Sequence, residues 1–220
     1  MKDVYKTVGG YGVDEVIINK SRFIGYSMPV NNEEEALQFI EDISTKHKDA
    51  THNVYAYVIG EESNIQRFSD DGEPSGTAGI PALEVLKKED LRNVVVVVTR
   101  YFGGIKLGGG GLIRAYTRGA KIAIDAGKIV EMTLHHKLKI NIPYTLYGKV
   151  ENYLMKNGYT PEEINYDVDV VVYLYVIKSQ VDDFTNEITN LTNGNVEIKY
   201  SGEMHLPIIN GKRYYETDRK

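Results

Sequence analysis

Short apolar runs alternate along the chain with polar segments rich in glycine, asparagine and proline, and their spacing changes between strand and helix periods. In the first part of the chain this pattern predicts strands at 11–19, 22–30, 53–60, 65–69, 93–100 and 128–135. Helices are predicted after Asn32, where Glu35 completes a capping box, through Leu83 and Leu86, and over 111–126. Five consecutive valines at 94–98 are typical of a strand buried on both faces.

The pattern restarts after residue 136. It predicts a strand at 137–142, a helix at 145–157, paired strands at 163–168 and 170–178, a helix capped by Ser179 with Asp182, and a strand at 196–202. This β-α-β-β-α-β order is the ferredoxin-like arrangement. We therefore expect an α+β protein with one domain at 1–135, a ferredoxin-like domain at 137–205 joined to it near His136, and a tail at 206–220 that is either a flexible end or an edge strand.

The composition is that of a globular protein, and it excludes several classes of site and of protein. The 220 residues are 42% hydrophobic and 26% charged. The absence of cysteine excludes disulfides and thiolate zinc sites. A polar start to the chain and a longest apolar run at 94–98 predict a cytoplasmic protein without a membrane span. The net charge of −5 argues against a general nucleic-acid coat, which is usually basic.

Charge is distributed unevenly in the first predicted domain. Residues 61–90 carry eight acidic and three basic side chains, whereas residues 91–124 contain no acidic residue. The second stretch has six cations, which are Arg92, Arg100, Lys106, Arg114, Arg118 and Lys121. Such a segment offers anions a preferred surface; the alternative is that the two stretches neutralise each other across the fold.

A loop at 70–81 concentrates acidic and hydroxyl side chains. Asp70, Asp71, Glu73 and Ser75 lie within six residues, where neighbouring carboxylates can raise one another's pKa for acid–base work or bind a hard cation. The spacing matches neither a known metal motif nor a serine nucleophile elbow, and turn chemistry explains these residue types. We therefore predict a possible acidic site there, with no assigned catalytic residue, metal or cofactor. His52, at the start of a predicted strand, is interpreted as structural.

The segment from 100 to 118 is the more informative one. Six of the nine residues at 103–111 are glycine, and each costs about 0.5–1 kcal/mol of chain entropy relative to alanine, so the cluster needs a reason. It lies between a buried strand and a helix start, where free N–H groups attract anions, although tight strand–helix packing is an alternative reason. The spacing of these glycines matches neither the Walker A motif nor the dinucleotide-binding motif G-x-G-x-x-G. The predicted anion-binding or partner-binding residues are Arg100, Gly103, Gly104, Lys106, Gly108, Gly109, Gly110, Gly111, Arg114 and Arg118.

Two blocks of sequence together resemble the YigZ/IMPACT family. They are DDGEPSGTAGIPA at 70–82 and VVTRYFGGIKLGGGGLIRAYTRG at 97–119, and the second segment of the chain is similar to the smaller C-terminal domain of the bacterial members. The resemblance implies an N-terminal fold like the second domain of a small-subunit ribosomal protein and a C-terminal domain like one from elongation factor G. It also implies a link with translation. Eukaryotic members modulate a translation-initiation kinase pathway through a partner protein, but they carry a different extra domain that this chain lacks. The family supplies no established catalytic residues.

Three hypotheses follow. The first is a translation-associated regulatory protein that docks RNA, the ribosome or a translation factor through the basic glycine-rich loop and helix. The second is an enzyme acting on a phosphorylated small molecule, with phosphate at 108–111 and an acid from Asp70, Asp71 or Glu73. The third is a protein–protein regulator that uses tyrosine-rich faces. The sequence favours a binding protein and leaves enzyme activity open. It further predicts that the two loops share one cleft and that Arg114 and Arg118 contact anions, while Lys121 pairs with Asp125.

Overall fold

A computed structural model describes residues 2–214 of the chain, which divide into two compact units. One unit contains residues 2–132 with 207–214, and the other is Thr133–Leu206. The strands are β1 (Val4–Val8), β2 (Gly12–Ile18), β3 (Ser21–Pro29), β4 (His52–Ile59), β5 (Ile65–Ser69), β6 (Val94–Tyr101), β7 (Ile129–Ile142), β8 (Pro161–Tyr166), β9 (Val170–Ile177), β10 (Glu197–Ile209) and β11 (Lys212–Arg213). The helices are α1 (Glu33–Lys46), α2 (Gly79–Lys88), α3 (Gly108–Gly127), α4 (Tyr144–Lys156) and α5 (Val181–Leu191).

The first unit is built on a five-stranded antiparallel sheet in the order β2-β3-β6-β4-β5. Its central strand β6 carries the five valines, and all of them are fully buried, which confirms the predicted two-sided burial. Val94, Val96 and Val98 pack with α2 and α3 on one face, whereas Val95 and Val97 pack with residues of α1 on the other. The sheet is therefore covered on both sides.

The predicted capping box starts helix α1. The Asn32 side chain accepts the backbone N–H of Glu35 at 2.9 Å, and the Glu35 carboxylate accepts from the Asn32 amide at 3.0 Å. The first bond satisfies a backbone N–H that the first helical turn leaves without an intrahelical partner, and the second joins the two side chains. The helix then buries Ala36 and Ile43 against the sheet, as the helical spacing of its apolar residues predicts.

The second unit has the predicted ferredoxin-like arrangement. Its strands lie in the order β10-β7-β9-β8, and every second residue of β9 is buried against α4 and α5. The strands predicted at 128–135 and 137–142 are one continuous strand, β7, in which His136 pairs with Val176 of β9. The prediction of two strands was wrong. The adjacent polar residues at 135–137 resemble the end of a strand in sequence, but their backbone pairs with β9 and the strand continues.

Other boundaries also differ from the sequence prediction. Strand β1 was not predicted, and it pairs with β7. Ser179 does not cap α5, because it lies within the 3-10 turn Lys178–Gln180 that leads into the helix. After β10, strand β11 pairs with Ile208 and Ile209, and residues 215–220 of the predicted tail lie outside the described residues. Within residues 2–214, the helices lack the combination of length and apolarity needed to cross a membrane.

Candidate functional site

Asp70 organises the acidic loop through its own backbone. Its Oδ1 accepts the N–H groups of Ala78 at 3.1 Å and Gly79 at 2.8 Å, and its Oδ2 accepts that of Gly76 at 2.8 Å. Burial opposes ionisation of the carboxyl, but the three N–H donors outweigh it and hold the pKa of Asp70 below its ordinary value. The loop between β5 and α2 is thus folded around one ionised side chain.

Asp71 connects this loop to the start of β4. Its Oδ2 accepts the backbone N–H of Asn53 at 2.5 Å, and its carbonyl oxygen lies 2.6 Å from Nδ1 of His52. Because a carbonyl oxygen only accepts, His52 donates from Nδ1 and presents Nε2 on its other side. The backbone of Asp71 is left-handed, with φ of 43°. Ser75, the hydroxyl of the predicted acidic site, is exposed further along the loop.

Glu73 is the buried acid of the loop. Its Oε1 accepts from Arg100 Nη1 at 2.5 Å and from the Tyr116 hydroxyl at 2.7 Å, and it lies 3.7 Å from Nε2 of His52. Burial first, and then the bond to Glu73, raise the pKa of Tyr116 far above its ordinary value. Three elements, β4, β6 and α3, therefore converge on one carboxylate.

Arg100, predicted as an anion-binding residue, is committed to this cluster. Its side chain is 6% exposed, and that of Glu73 is 4% exposed. The guanidinium lies 5.4 Å from the ring centroids of both Phe23 and Phe102, and its Nη2 is 3.5 Å from the Ser21 hydroxyl. The charge of Arg100 is balanced by Glu73, so the cations available to an outside anion are other residues.

Most of the glycines have a reason within the fold. Gly104 and Gly108 have φ of 82° and 69°, which side-chain-bearing residues rarely adopt. A Cβ on Gly103 would collide with the backbone of Lys20, and one on Gly111 would press on the Leu107 side chain. Packing and turn geometry, the alternative explanation weighed above, therefore account for four of the six.

Gly109 and Gly110 have no such reason. A Cβ on Gly109 would meet only a Thr77 methyl group at 3.9 Å, and one on Gly110 only the far end of the Arg114 side chain at 3.7 Å. Both lie in the first turn of α3, which begins at 108 rather than at the predicted 111. That turn contains no acidic residue, and Leu107 provides no side-chain cap, so no cap satisfies its N–H groups.

Three exposed cations flank this helix start. Within residues 2–214, Lys106, Arg114 and Arg118 make neither an ion pair nor a side-chain hydrogen bond. Lys121, by contrast, pairs with Asp125 at 2.7 Å, as predicted, and with Glu89 at 3.0 Å. Among the six cations at 91–124, the unpaired ones therefore lie at the beginning of α3 and along its next two turns.

The acidic loop and the glycine segment meet, as predicted, in one cleft of about 380 Å³. Its polar and glycine lining includes His52, Glu73, Arg100, Lys106, Gly108 and Gly109, and Pro74, Phe102 and Leu112 add apolar surface. Gly111, Arg114 and Arg118 line a neighbouring depression of about 420 Å³, and Leu107 borders both. Asp70, Asp71 and Ser75 line neither cavity. No group of three or more metal-binding side chains occurs within residues 2–214.

His52 is the cleft residue that sequence reasoning interpreted as merely structural. In the β4–β6 register it lies directly opposite Arg100, which brings it to Glu73. Tyr116 was likewise not assigned to the site, although it lies on the buried face of α3. Both residues arrive through pairing between distant segments, so no local motif could have indicated them.

Two family profiles match the chain. The Impact N-terminal domain matches residues 19–124, which include both sequence blocks and the whole cleft, and the domain of unknown function DUF1949 matches residues 140–195. The IMPACT family member YvyE of Bacillus subtilis is 47% identical over 200 residues, which cover 91% of this chain and 92% of that protein.

More distant relatives extend this similarity. The IMPACT family member YigZ of Escherichia coli is 31% identical over 183 residues, which cover 82% of this chain and 90% of that protein. A crystal structure of a hypothetical protein superposes with a TM-score of 0.59 at 28% identity, and the match covers 92% of this chain and 99% of that one. Because the bacterial relatives match over nine-tenths of their own length, the chain belongs to the IMPACT family.

Proposed function

We propose that this protein is a translation-associated binding protein that docks RNA through the glycine segment and the first turns of α3. The observation that carries the proposal is the pair Gly109 and Gly110, whose side chains are missing without a steric or conformational cause. Each glycine lowers helix stability by up to about 1 kcal/mol relative to alanine. A bound group that requires close approach to bare N–H groups accounts for that cost.

The charges around these glycines support a phosphate-bearing partner. Lys106, Arg114 and Arg118 have no acidic partner within residues 2–214, and the helix dipole adds positive character at Gly108. These features together favour an anionic ligand over a neutral one.

The length of the basic surface favours a chain of phosphates over a single phosphate. Ten residues of helix separate Gly108 from Arg118, a rise of about 15 Å. The cleft and the neighbouring depression share Leu107, and the depression includes both Arg114 and Arg118. The link with translation that accompanies the family resemblance makes RNA the polyanion we propose.

Salt-dependent binding tests the proposal. A labelled single-stranded RNA of mixed sequence is titrated with the wild-type protein and with an Arg114→Ala/Arg118→Ala variant over a range of salt concentrations. Each phosphate contact to a single strand contributes about 0.7 to the slope of log K against log salt, so the variant's slope is expected to fall by about 1.4.

A variant with the same loss of charge provides the control. Arg67→Ala/Lys87→Ala removes two exposed cations of the same unit that are ion-paired with Glu33 and Glu84. It is expected to leave the slope unchanged. The proposal is wrong if the control weakens binding as much as the test variant, or if the wild type binds no RNA at low salt.

A further inference from the structure

Glu73 and His52 both line the cleft, and each has one atom to which no residue within 2–214 donates a hydrogen bond. Glu73 uses Oε1 for all of its contacts, and no residue within 2–214 donates a hydrogen bond to its Oε2, although the side chain is only 4% exposed. His52 donates from Nδ1 to the Asp71 carbonyl, so a neutral ring carries its lone pair on Nε2, 3.7 Å from the Glu73 carboxylate.

This arrangement selects for ligands that donate hydrogen bonds. Glu73 Oε2 and the Nε2 lone pair of a neutral His52 can each accept a hydrogen bond, so a group with two adjacent donors can bond to both. Arg100 already neutralises Glu73 through Oε1, which leaves Oε2 free for a neutral hydroxyl rather than requiring a second cation. Adjacent hydroxyl groups on a sugar have the required chemistry.

We infer that the cleft binds the cis-diol of the 3′-terminal ribose of an RNA strand, with its two hydroxyls donating to Glu73 Oε2 and His52 Nε2. This inference rests on the proposed function, since the phosphate of the same nucleotide then lies at Lys106, Gly108 and Gly109, which line the same cleft.

The remaining walls of the cleft suit the rest of a nucleotide. Phe102 is 47% exposed and offers a ring face to a base, since aromatic side chains stack on bases of any sequence. Pro74 and Leu112 provide further apolar surface. The volume of about 380 Å³ falls within the range of small-ligand sites, which suits one nucleotide rather than several. The preceding phosphates then follow α3 towards Arg114 and Arg118.

The test compares RNA strands of one sequence that differ only at the 3′ end. A strand with a free 2′,3′-diol is expected to bind the wild-type protein roughly tenfold to a hundredfold more tightly than strands ending in a 2′,3′-dideoxy nucleotide or a 3′-phosphate, because bonds to a charged acceptor are lost. Equal binding of all three strands overturns the inference and leaves the proposed function standing. Absence of binding by any strand overturns the proposed function itself.

A variant and a small ligand sharpen the result. His52→Ala removes one acceptor and is expected to reduce the preference for the diol end while leaving the slope with salt unchanged. An unchanged preference for the diol end in a folded His52→Ala protein contradicts the role of His52 as an acceptor. The comparison of RNA ends with the wild-type protein does not depend on this variant. A nucleoside 5′-monophosphate carries the same diol and one phosphate. If it competes as well as the RNA strand, the cleft is a site for free nucleotides and the assignment to an RNA end is wrong.

Discussion

Arg100 Nη1 lies 2.5 Å from Glu73 Oε1, and both side chains are almost completely buried. The pair joins the central strand of the first unit to the loop before α2, and the Tyr116 hydroxyl binds the same carboxylate oxygen from α3. A buried ion pair contributes little net stability compared with apolar packing, but the loss of one partner leaves the other charged and unsolvated. The cleft floor therefore tolerates the removal of both charges better than the removal of one.

Replacing Glu73 alone is expected to destabilise the first unit strongly. Glu73→Leu leaves the Arg100 charge buried, and the free energy of unfolding is expected to fall by about 3–5 kcal/mol in urea denaturation. Glu73→Leu combined with Arg100→Met is expected to recover most of this loss. The matched control is Glu15→Leu, which breaks an exposed pair with Arg22 and is expected to cost at most about 1 kcal/mol. Similar losses for Glu73→Leu and Glu15→Leu would contradict the buried-pair interpretation.

Asp70 is expected to make stability depend on pH in the acidic range. Its pKa is lower in the folded protein than the ordinary value of 3.8, so the unfolded chain takes up the proton first as the pH falls. The contribution of Asp70 is thus complete above the ordinary value and disappears as the pH falls through the folded value. Asp70→Asn is expected to lower the free energy of unfolding at neutral pH, and its difference from the wild type is expected to shrink below about pH 4. The exposed Asp49→Asn serves as control and is expected to show no such trend.

Gly109→Ala and Gly110→Ala are expected to separate stability from binding. Alanine fits at both positions, so each variant is expected to unfold at an equal or higher temperature, with a gain of up to about 1 kcal/mol. RNA binding is expected to weaken because the new methyl groups cover the N–H groups of the first turn. Gly148→Ala is the control, because this glycine lies within α4 with open space around it, and the variant is expected to gain stability without any change in binding. Undiminished binding by the two test variants would remove the main support for the anion site.

Local signals in the sequence predicted most of the fold. Five consecutive valines identified the central strand, Asn32 with Glu35 identified a helix start, and the order of elements after residue 136 identified the ferredoxin-like unit. The errors lie where pairing between distant segments of the chain determines whether a strand forms and how far it extends. Strand β1 exists because of its partner β7, and β7 continues through His135 and His136 because β9 pairs with it. Glycine's low helix propensity concealed the true start of α3.

The candidate site shows the same division. Both loops were recognised from their composition, and their meeting in one cleft was predicted, but the cluster on its floor was not. His52 reaches Glu73 because it lies opposite Arg100 in the β4–β6 register. Tyr116 reaches the same carboxylate because helix α3 packs on the sheet. Arg100 was grouped with the surface cations because the sequence alone does not show that a charged residue near the end of a buried strand is itself buried.

The three N–H groups held by Asp70 have a consequence for whatever enters the cleft. Ordering a backbone residue costs about 1–2 kcal/mol in conformational entropy. In the loop around Asp70 the backbone loses this entropy when the protein folds, and not when a ligand binds, because the carboxylate already fixes Gly76, Ala78 and Gly79. Glu73 and Pro74, the loop residues that line the cleft, lie between Asp70 and these fixed residues, so a ligand meets a preorganised wall and association need not wait for a loop to close. The rate at which a bound ligand leaves is then set by its own contacts with the cleft.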